Sequence, residues 1–416
     1  MRIPQWITAR SLLCLALVLA LTGCATSQTP PKPTATAIAR PPTITTPKAT
    51  GDTFVCANPP GSQRFYAYVL GSYLHGAQKT YLVHGCDAPL EISHADDRNY
   101  TPLAFSTDAS WLLISDDPID QNNTNLTSCL KMVSTSSRQV IPTSFCNPNP
   151  VGGPTWEQWY APIAWAGPNS FYLSTVSAKN NSVQVSRVSV PSLARTQITT
   201  LTWVAEMANQ TTLSGIALRQ NALFYGGYMS SSEGGAYLHR YDLATGADTR
   251  FVRLGLAGTG GCQVADVPCS WTGPWDISPD ATKLTYHNPG PTHDITDTYV
   301  EPGQPLYLSA PDGSGAQKLF PAEPTESGFN AGWFSPDGRY IAAGYNGVMV
   351  FERLTDGALT TAPSALQWSG WTPQSGVVVM YDTTAGDTTL IHLDLYNYLT
   401  GARTPLQTGT HNYVWA

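Results

Sequence analysis

Apolar and polar residues alternate along most of this chain, in short runs separated by turns rich in Gly, Asp and Pro. Alternation with a period of two predicts antiparallel β-strands. No segment shows the apolar spacing of an amphipathic helix. Two segments depart from the pattern: a continuous apolar run at 11–21 and a Pro/Thr/Ala-rich stretch at 25–53. We therefore predict an all-β body that begins near residue 54.

Three segments of the body share one pattern, in which an apolar strand, a Ser-x-Asp turn and an alternating strand follow each other. They are 104–115, 276–287 and 333–344. Weaker copies occupy 163–174, 215–226 and 366–382. Repetition at this spacing predicts a repeat architecture.

The turns Ser278-Pro279-Asp280 and Ser335-Pro336-Asp337-Gly338 resemble the repeat of TolB-type, WD-like β-propellers. A third copy carries Ser106-Thr107-Asp108, and the turn at 241–246 is similar to the outer hairpin of the same repeat. The resemblance covers about residues 100–410 and implies a ring of four-stranded blades. We expect each turn Asp to be structural, because it accepts hydrogen bonds from nearby backbone N–H groups.

Counting four-strand units predicts six blades, at about 102–144, 162–201, 213–255, 273–321, 331–363 and 364–408. Two pieces remain, namely three strands within 63–93 and one strand at 411–416. Joined, they form a seventh blade from both ends of the chain, and such closure removes exposed sheet edges. We predict a seven-bladed β-propeller; six blades and separate β-sandwiches are the alternatives.

The N-terminal segment has the pattern of an export signal. Arg2 and Arg10 flank an apolar run that is too short to cross a bilayer of about 30 Å as a helix. The run ends in Leu21-Thr22-Gly23-Cys24, which resembles the lipobox of bacterial lipoproteins. The resemblance implies cleavage before Cys24 and acylation of its thiol. The alternatives are an ordinary signal peptide with an incidental Cys and a buried helix.

This interpretation divides the chain into three parts. The expected parts are a lipoprotein signal peptide at 1–23, a lipidated Cys with a disordered Pro/Thr-rich tether at 24–53, and the β-propeller at 54–416. The protein is then expected in the cell envelope, anchored by lipid and facing outside the cytoplasm.

Composition and charge limit the classes of partner that this chain can bind. The chain has 42% hydrophobic and 12% charged residues, which argues against a disordered, solvating body. Its net charge is −7, with 22 Lys+Arg against 29 Asp+Glu, and phosphate binding needs a basic patch. We therefore expect no nucleic acid. The expected partners are the membrane, through the lipid anchor, and a protein or glycan ligand, and the protein is expected to be a monomer.

Six cysteines remain once Cys14 leaves with the signal and Cys24 carries lipid. An even number fits an exported protein with three disulfides. We expect the local pairs Cys56–Cys86, Cys129–Cys146 and Cys262–Cys269. A hairpin that turns near Ser137 places the second pair opposite each other. Buried free thiols are the alternative.

The sequence contains no nucleophile elbow, HExxH, Walker loop or dinucleotide fingerprint. The densest group of potential metal ligands comprises His287, His293, Asp294, Asp297 and Glu301. This group lacks the DxDxDG spacing of a calcium loop. A similar acidic loop holds Asp116, Asp117 and Asp120. We expect both groups to be solvated loops, and we expect no cofactor, with calcium as the alternative.

Loop lengths single out one face of the predicted propeller. The first–second and third–fourth turns of a blade lie on one face, and the other connections lie on the opposite face. The long segments fall in the second set, at 116–125, 147–160, 256–271 and 288–304. Long loops on a rigid scaffold are common binding sites. The expected stacking anchors are Trp156, Trp159, Tyr160 and Trp271, and the expected polar contacts are Asp117, Asp120, His293, Asp294 and Asp297.

Two functions follow from these expectations. The first is a binding or scaffold module outside the cytoplasm, with no catalytic residue. The second is an extracytoplasmic propeller enzyme, a glycan lyase or hydrolase, that uses loop carboxylates and histidines. The tryptophans have an alternative role as well, which is to pack over the ends of the blades.

Overall fold

A computed structural model of the chain describes eighteen stretches of the sequence. They are residues 54–71, 78–92, 98–119, 127–148, 159–177, 182–202, 206–207, 216–228, 236–254, 256–257, 263–264, 267–268, 271–272, 275–287, 306–319, 330–345, 348–384 and 391–416. Every regular element in these stretches is a β-strand. None of them contains a helix with the length and apolarity needed to cross a membrane.

Seven antiparallel four-stranded sheets form the body, and we call them the closing blade and blades 1 to 6. The closing blade contains β1 (Phe65–Leu70), β2 (Lys79–His84), β3 (Leu90–Ile92) and, from the other end of the chain, β33 (Thr410–Trp415). Blade 1 contains β4 (Arg98–Phe105), β5 (Trp111–Pro118), β6 (Thr127–Ser134) and β7 (Val140–Pro148). Blade 2 contains β8 (Trp159–Gly167), β9 (Ser170–Ser177), β10 (Ser182–Ser189) and β11 (Arg195–Thr202).

The other four blades follow in chain order. Blade 3 contains β13 (Ile216–Arg219), β14 (Ala222–Tyr228), β15 (Ala236–Asp242) and β16 (Asp248–Leu254). Blade 4 contains β21 (Trp275–Ile277), β22 (Leu284–His287), β23 (Leu306–Ser309) and β24 (Gln317–Lys318). Blade 5 contains β25 (Asn330–Phe334), β26 (Tyr340–Tyr345), β27 (Val348–Arg353) and β28 (Ala358–Thr361). Blade 6 contains β29 (Leu366–Trp371), β30 (Val377–Asp382), β31 (Leu393–Asn397) and β32 (Arg403–Pro405).

Five two-residue strands lie in the connections between blades. They are β12 (Glu206–Met207), β17 (Leu256–Ala257), β18 (Gln263–Val264), β19 (Val267–Pro268) and β20 (Trp271–Thr272). Strands β12, β20 and β17 form one small sheet, and β18 pairs with β19.

Both faces of each blade are buried, because each blade packs between two neighbours. Successive residues of β14 show this arrangement: Phe224 packs with blade 4 and Tyr225 packs with blade 2. In the same way Val378 packs towards blade 5 and Val379 packs towards the closing blade. Burial on both faces explains why many of these strands contain continuous apolar runs.

Seven hydrophobic clusters lie one by one between neighbouring blades and complete the ring. The cluster between blade 6 and the closing blade joins Val379 and Leu393 to Tyr66 and Tyr68. The closing blade also packs on blade 1 through Ala67 and Leu82. The prediction of an all-β, seven-bladed propeller whose closing blade takes strands from both ends of the chain is therefore confirmed.

The Ser-x-Asp turns have the structural role predicted for them. In blade 5 the Ser335 hydroxyl donates to Asp337 Oδ1 at 2.6 Å, and the backbone N–H of Arg339 donates to the same oxygen at 3.1 Å. The turns that contain Asp108 and Asp280 repeat both bonds. Although partial burial opposes it, this bonding together with Arg339 lowers the pKa of Asp337 to about 2.

Candidate functional site

The two faces of the ring differ in the length of their connections. On the turn face, the strand bounds leave no connection longer than the segment 310–316. On the opposite face, which we call the long-loop face, the connections include 149–158, 203–215, 255–274 and 288–305. The asymmetry expected from the sequence is therefore present, although the bounds of the loops differ at Asp116, Asp117 and Tyr160.

Several residues proposed as ligand contacts lie outside the described residues. They are Trp156, Asp120, His293, Asp294 and Asp297. Cys24 also lies outside the described part of the chain, as do Cys262 and Cys269. Their proposed roles stay predictions.

Asp116 and Asp117 lie in strand β5 and not in a loop, which corrects the sequence interpretation. Asp116 is only 4% exposed, so the expectation of a solvated residue was wrong. Its Oδ1 accepts a bond from Arg98 Nε at 2.7 Å, and its Oδ2 lies 2.5 Å from Lys131 Nζ. With a cation on each oxygen, Asp116 forms two structural ion pairs that fix the end of β5.

Asp117 has different surroundings. It is half-buried, and its carboxylate accepts bonds from two hydroxyl groups, Ser115 Oγ at 2.7 Å and Thr101 Oγ1 at 3.4 Å. Among the described residues no cation forms an ion pair with it. Asp117 therefore lies at the long-loop end of blade 1, and its role as a ligand contact stays a prediction.

Tyr160 lies in strand β8, and its ring packs against Phe145 of blade 1 with a centroid distance of 5.6 Å. The Asn147 side chain binds both backbone polar groups of Tyr160. Asn147 Oδ1 accepts from Tyr160 N at 2.6 Å, and Asn147 Nδ2 donates to Tyr160 O at 2.8 Å. These contacts fix the start of blade 2 against the end of blade 1. For Tyr160 the described contacts are those of a packed residue, and a binding role stays a prediction.

Two connections of the long-loop face are joined by a small sheet. Strand β12, in the connection 203–215, pairs in parallel with β20, and β20 pairs antiparallel with β17. The register places Trp271 beside Glu206 and Ala257. Trp271 was identifiable from the sequence, but its neighbours were not, because a two-residue strand has no detectable periodicity.

A second charged cluster lies in blade 6, where Asp382 and Asp394 near the long-loop ends of β30 and β31 meet Arg403 of β32. Arg403 Nε donates to Asp394 Oδ2 at 2.9 Å, and its Nη2 donates to Asp382 Oδ2 at 2.8 Å. Burial raises the pKa of Asp394, and the Arg403 charge opposes that shift. Like the cluster around Asp116, this one joins neighbouring strands.

Blade 3 brings a histidine, a carboxylate and a tyrosine together. The Tyr225 hydroxyl donates to Asp248 Oδ2 at 2.5 Å, and His239 Nδ1 lies 3.3 Å from Asp248 Oδ1. Tyr225 is 1% exposed, and burial raises its pKa, so the hydroxyl remains a proton donor to Asp248. The bond from Tyr225 to Asp248 joins β14 to β16 within blade 3.

Two of the three expected disulfides are formed. Cys56 is bonded to Cys86, and Cys129 is bonded to Cys146. The second pair lies directly opposite in β6 and β7, as expected for a hairpin. Disulfides are typical of proteins that mature in an oxidising compartment.

The described stretches contain no group of three or more His, Cys, Asp or Glu side chains placed to hold a metal ion. Of the five potential metal ligands in the sequence, which were expected to form a solvated loop, only His287 lies within these stretches, at the end of β22.

Comparison with known proteins supports a likeness of fold. The chain is similar to TolB from Acinetobacter baumannii, with 13% identity over 86% of this chain and 68% of that one and a TM-score of 0.39. It is similar to the β-propeller domain of the Trilobed protease from Pyrococcus furiosus, with 12% identity, coverage of 85% and 98% and a TM-score of 0.49. It is also similar to a prolyl endopeptidase, with 11% identity and a TM-score of 0.54. The match covers 85% of this chain and 49% of that one.

No protein-family model and no curated protein sequence matches the chain. At identities this low, similarity between structures concerns the fold and not the function. The class that the strands and their topology define is the seven-bladed β-propeller.

Proposed function

We propose that this protein is a membrane-anchored, extracytoplasmic β-propeller lipoprotein that binds a protein or glycan ligand on its long-loop face. The observation that carries the proposal is the asymmetry of the ring, since all the extended connections lie on one face. A rigid ring holds such loops at small cost in stability, which is the usual design of a recognition surface.

The start of the described chain is fixed on the turn face by a disulfide. The described chain begins at Phe54, and Cys56 is tied to Cys86 beside the connection of β2 to β3 on the turn face. Asn58 Nδ2 donates to Gly85 O at 2.9 Å in the same place. Cys56 therefore lies on the turn face, opposite the loops proposed to bind the ligand.

The anchor has a direct test. Cys24→Ser removes the thiol that the lipobox resemblance assigns to acylation, so incorporation of radioactive palmitate should fall to background. Cys14→Ser, which changes the other cysteine of the N-terminal segment, is the matched control and should label like the wild type. Undiminished labelling of Cys24→Ser would contradict the anchor.

The binding face is tested with residues 54–416 on a glycan array and in affinity capture from the native envelope. Trp156→Ala combined with Trp159→Ala should reduce binding of the captured ligand about tenfold or more, since such rings are typical binding anchors. The melting temperature should stay unchanged. Leu399→Ala is the control, because Leu399 is an exposed apolar residue, 54% accessible, on the turn face.

Three results would change the proposal. A large fall in melting temperature of the double variant would make the two tryptophans packing residues. Equal binding by the double variant and Leu399→Ala would exclude them as anchors. Chemical turnover of an array glycan would identify the protein as an enzyme instead.

A further inference from the structure

We propose that the outer edge of blade 2, formed by strand β11, binds an extended acidic peptide as an additional β-strand. In this mode of recognition the backbone of the peptide pairs with an open sheet edge, and its side chains give specificity. Strand β11 is the outermost strand of its blade. The inference therefore does not depend on the function proposed for the long-loop face.

Strand β11 lacks the usual protection of a sheet edge. Among the described residues it pairs with β10 alone. It is eight residues long, Arg195–Thr202, and it contains no Pro and a single charged residue. Natural proteins protect their edges with short strands, Pro or several charges. The side chains of Thr196, Gln197 and Thr200 are exposed, so β11 is open to solvent.

The outermost strands of the other six blades have such protection. Four of them, β3, β24, β28 and β32, are only two to four residues long. Strand β7 contains Pro142 and Pro148, and β16 contains the charged residues Asp248, Arg250 and Arg253. Irregular register does not separate these strands, because β7, β11 and β16 all pair with a shift. Among the described outer strands, β11 is therefore the long one without Pro or a cluster of charges.

Blade 2 also differs from the other blades in charge. Its span, 159–202, contains Lys179, Arg187 and Arg195 and no Asp or Glu. The spans of the other blades all contain acidic residues, and the whole chain has a net charge of −7. Blade 2 is therefore a basic part of an acidic protein, and its charge complements that of an acidic partner.

Two arginines of blade 2 flank the same end of β11. Arg195 is the first residue of the strand, and Arg187 of β10 lies opposite Thr196. The side chains of both arginines are exposed. A peptide that pairs along β11 brings its terminal side chains to these two guanidinium groups, whichever direction it runs.

The hydrogen-bond partners of both arginines are neutral. Arg187 Nε donates to Ser170 Oγ at 3.0 Å. Arg195 donates to three groups, which are Ser186 Oγ at 2.9 Å, Thr175 Oγ1 at 2.9 Å and Gln184 Oε1. By contrast, six arginines elsewhere in the ring form ion pairs with Asp side chains, namely Arg98, Arg219, Arg240, Arg339, Arg353 and Arg403. A carboxylate on an added strand would give Arg187 and Arg195 a charged partner.

The probe is a fluorescein-labelled peptide, GETVTVEG, whose β-branched residues favour an extended backbone. Its anisotropy with the purified full-length chain should show binding at least tenfold tighter than that of GKTVTVKG, since Lys repels the two arginines. GETPPVEG has the same charge, but its successive prolines remove an N–H donor from each edge of the peptide. It should also bind at least tenfold more weakly. Hydrogen exchange should show that GETVTVEG protects the amides of 195–202.

Three variants locate the site on the protein. Arg187→Gln combined with Arg195→Gln should weaken binding of GETVTVEG about tenfold or more. Arg64→Gln combined with Arg138→Gln is the matched control, because it removes the same charge from exposed positions outside blade 2 and should leave binding unchanged. Thr200→Glu adds a negative charge to the exposed edge without altering either arginine of blade 2. It should weaken binding of GETVTVEG and strengthen binding of GKTVTVKG.

Four results would overturn the proposal. The first is equal affinity for GETVTVEG and GKTVTVKG, and the second is equal affinity for GETVTVEG and GETPPVEG. The third is equal binding by the two double variants. The fourth is protection of 195–202 that rises with protein concentration in the absence of peptide, which would identify a second copy of this chain as the occupant of the edge.

Discussion

Asp276 joins three blades through one buried carboxylate. Its Oδ1 accepts from the backbone N–H of Ile277 at 2.8 Å, and its Oδ2 accepts from the N–H of Phe334 in blade 5 at 2.9 Å. Arg219 of blade 3 lies 3.8 Å away. Burial raises the pKa of Asp276 to about 6, and Arg219 with the two N–H groups opposes the shift. The protein therefore keeps a costly carboxylate because it connects adjacent blades.

This carboxylate should make stability depend on pH. The folded-state pKa of about 6 lies above the ordinary value of 3.8, so the contribution of Asp276 is largest below pH 4 and is lost as the pH rises through 6. Asn does not titrate. The free energy of unfolding of the wild type, measured relative to that of Asp276→Asn, should therefore fall by about 2 kcal/mol between pH 4 and pH 7. Urea unfolding of both proteins at several pH values measures the difference.

A control of opposite sign is available in blade 5. The folded-state pKa of Asp337 is about 2, below its ordinary value, so its contribution is present at neutral pH and is lost only as the pH falls towards 2. The stability difference between wild type and Asp337→Asn should therefore stay nearly constant from pH 5 to pH 7. A constant difference for Asp276→Asn over the same range would contradict the account of its burial.

At the scale of the element, local patterns predicted the strands whose partners are close in sequence. The Ser-x-Asp turns are an example, since Ser335, Asp337 and the N–H groups that they bind lie within a few residues of each other. The end of β5 shows the limit of local reasoning. The polar residues at 116–118 resemble a loop, but Asp116 is held by Arg98 and Lys131 from the two neighbouring strands. Contacts at that separation leave no signal in a local pattern.

The long-loop face was predictable in outline only. Its position followed from the lengths of the connections, but the sheet of β12, β20 and β17 depends on pairing between separate connections. The same region bears on the third disulfide. In the hairpin of β18 and β19, Gln263 pairs with Pro268 and Val264 pairs with Val267. Cys262 and Cys269 lie outside the described residues, so the Cys262–Cys269 bond stays a prediction. Peptide mapping without reduction tests it.

At the scale of the whole molecule, the seven clusters make every blade depend on two neighbours. The ring was predictable from sequence because the N-terminal piece lacked an innermost strand and the C-terminal piece supplied one.

Strand β33 should therefore control the stability of the entire ring. It pairs with β1 through Tyr66↔Trp415 and Val69↔His411, and Ala416 N donates to Phe65 O at 2.9 Å. Deletion of 411–416 leaves the inner edge of β1 unpaired and opens the clusters on both sides of the closing blade. An unpaired edge templates association with other chains. The truncated protein should melt at a lower temperature and form aggregates that increase with concentration, as measured by calorimetry and light scattering.

Asn412→Gly is the matched control. Asn412 is exposed with φ +50°, which Gly adopts freely, so the variant should behave like the wild type. A deletion variant that melts like the wild type and stays monomeric would show that β33 does not hold the ring closed.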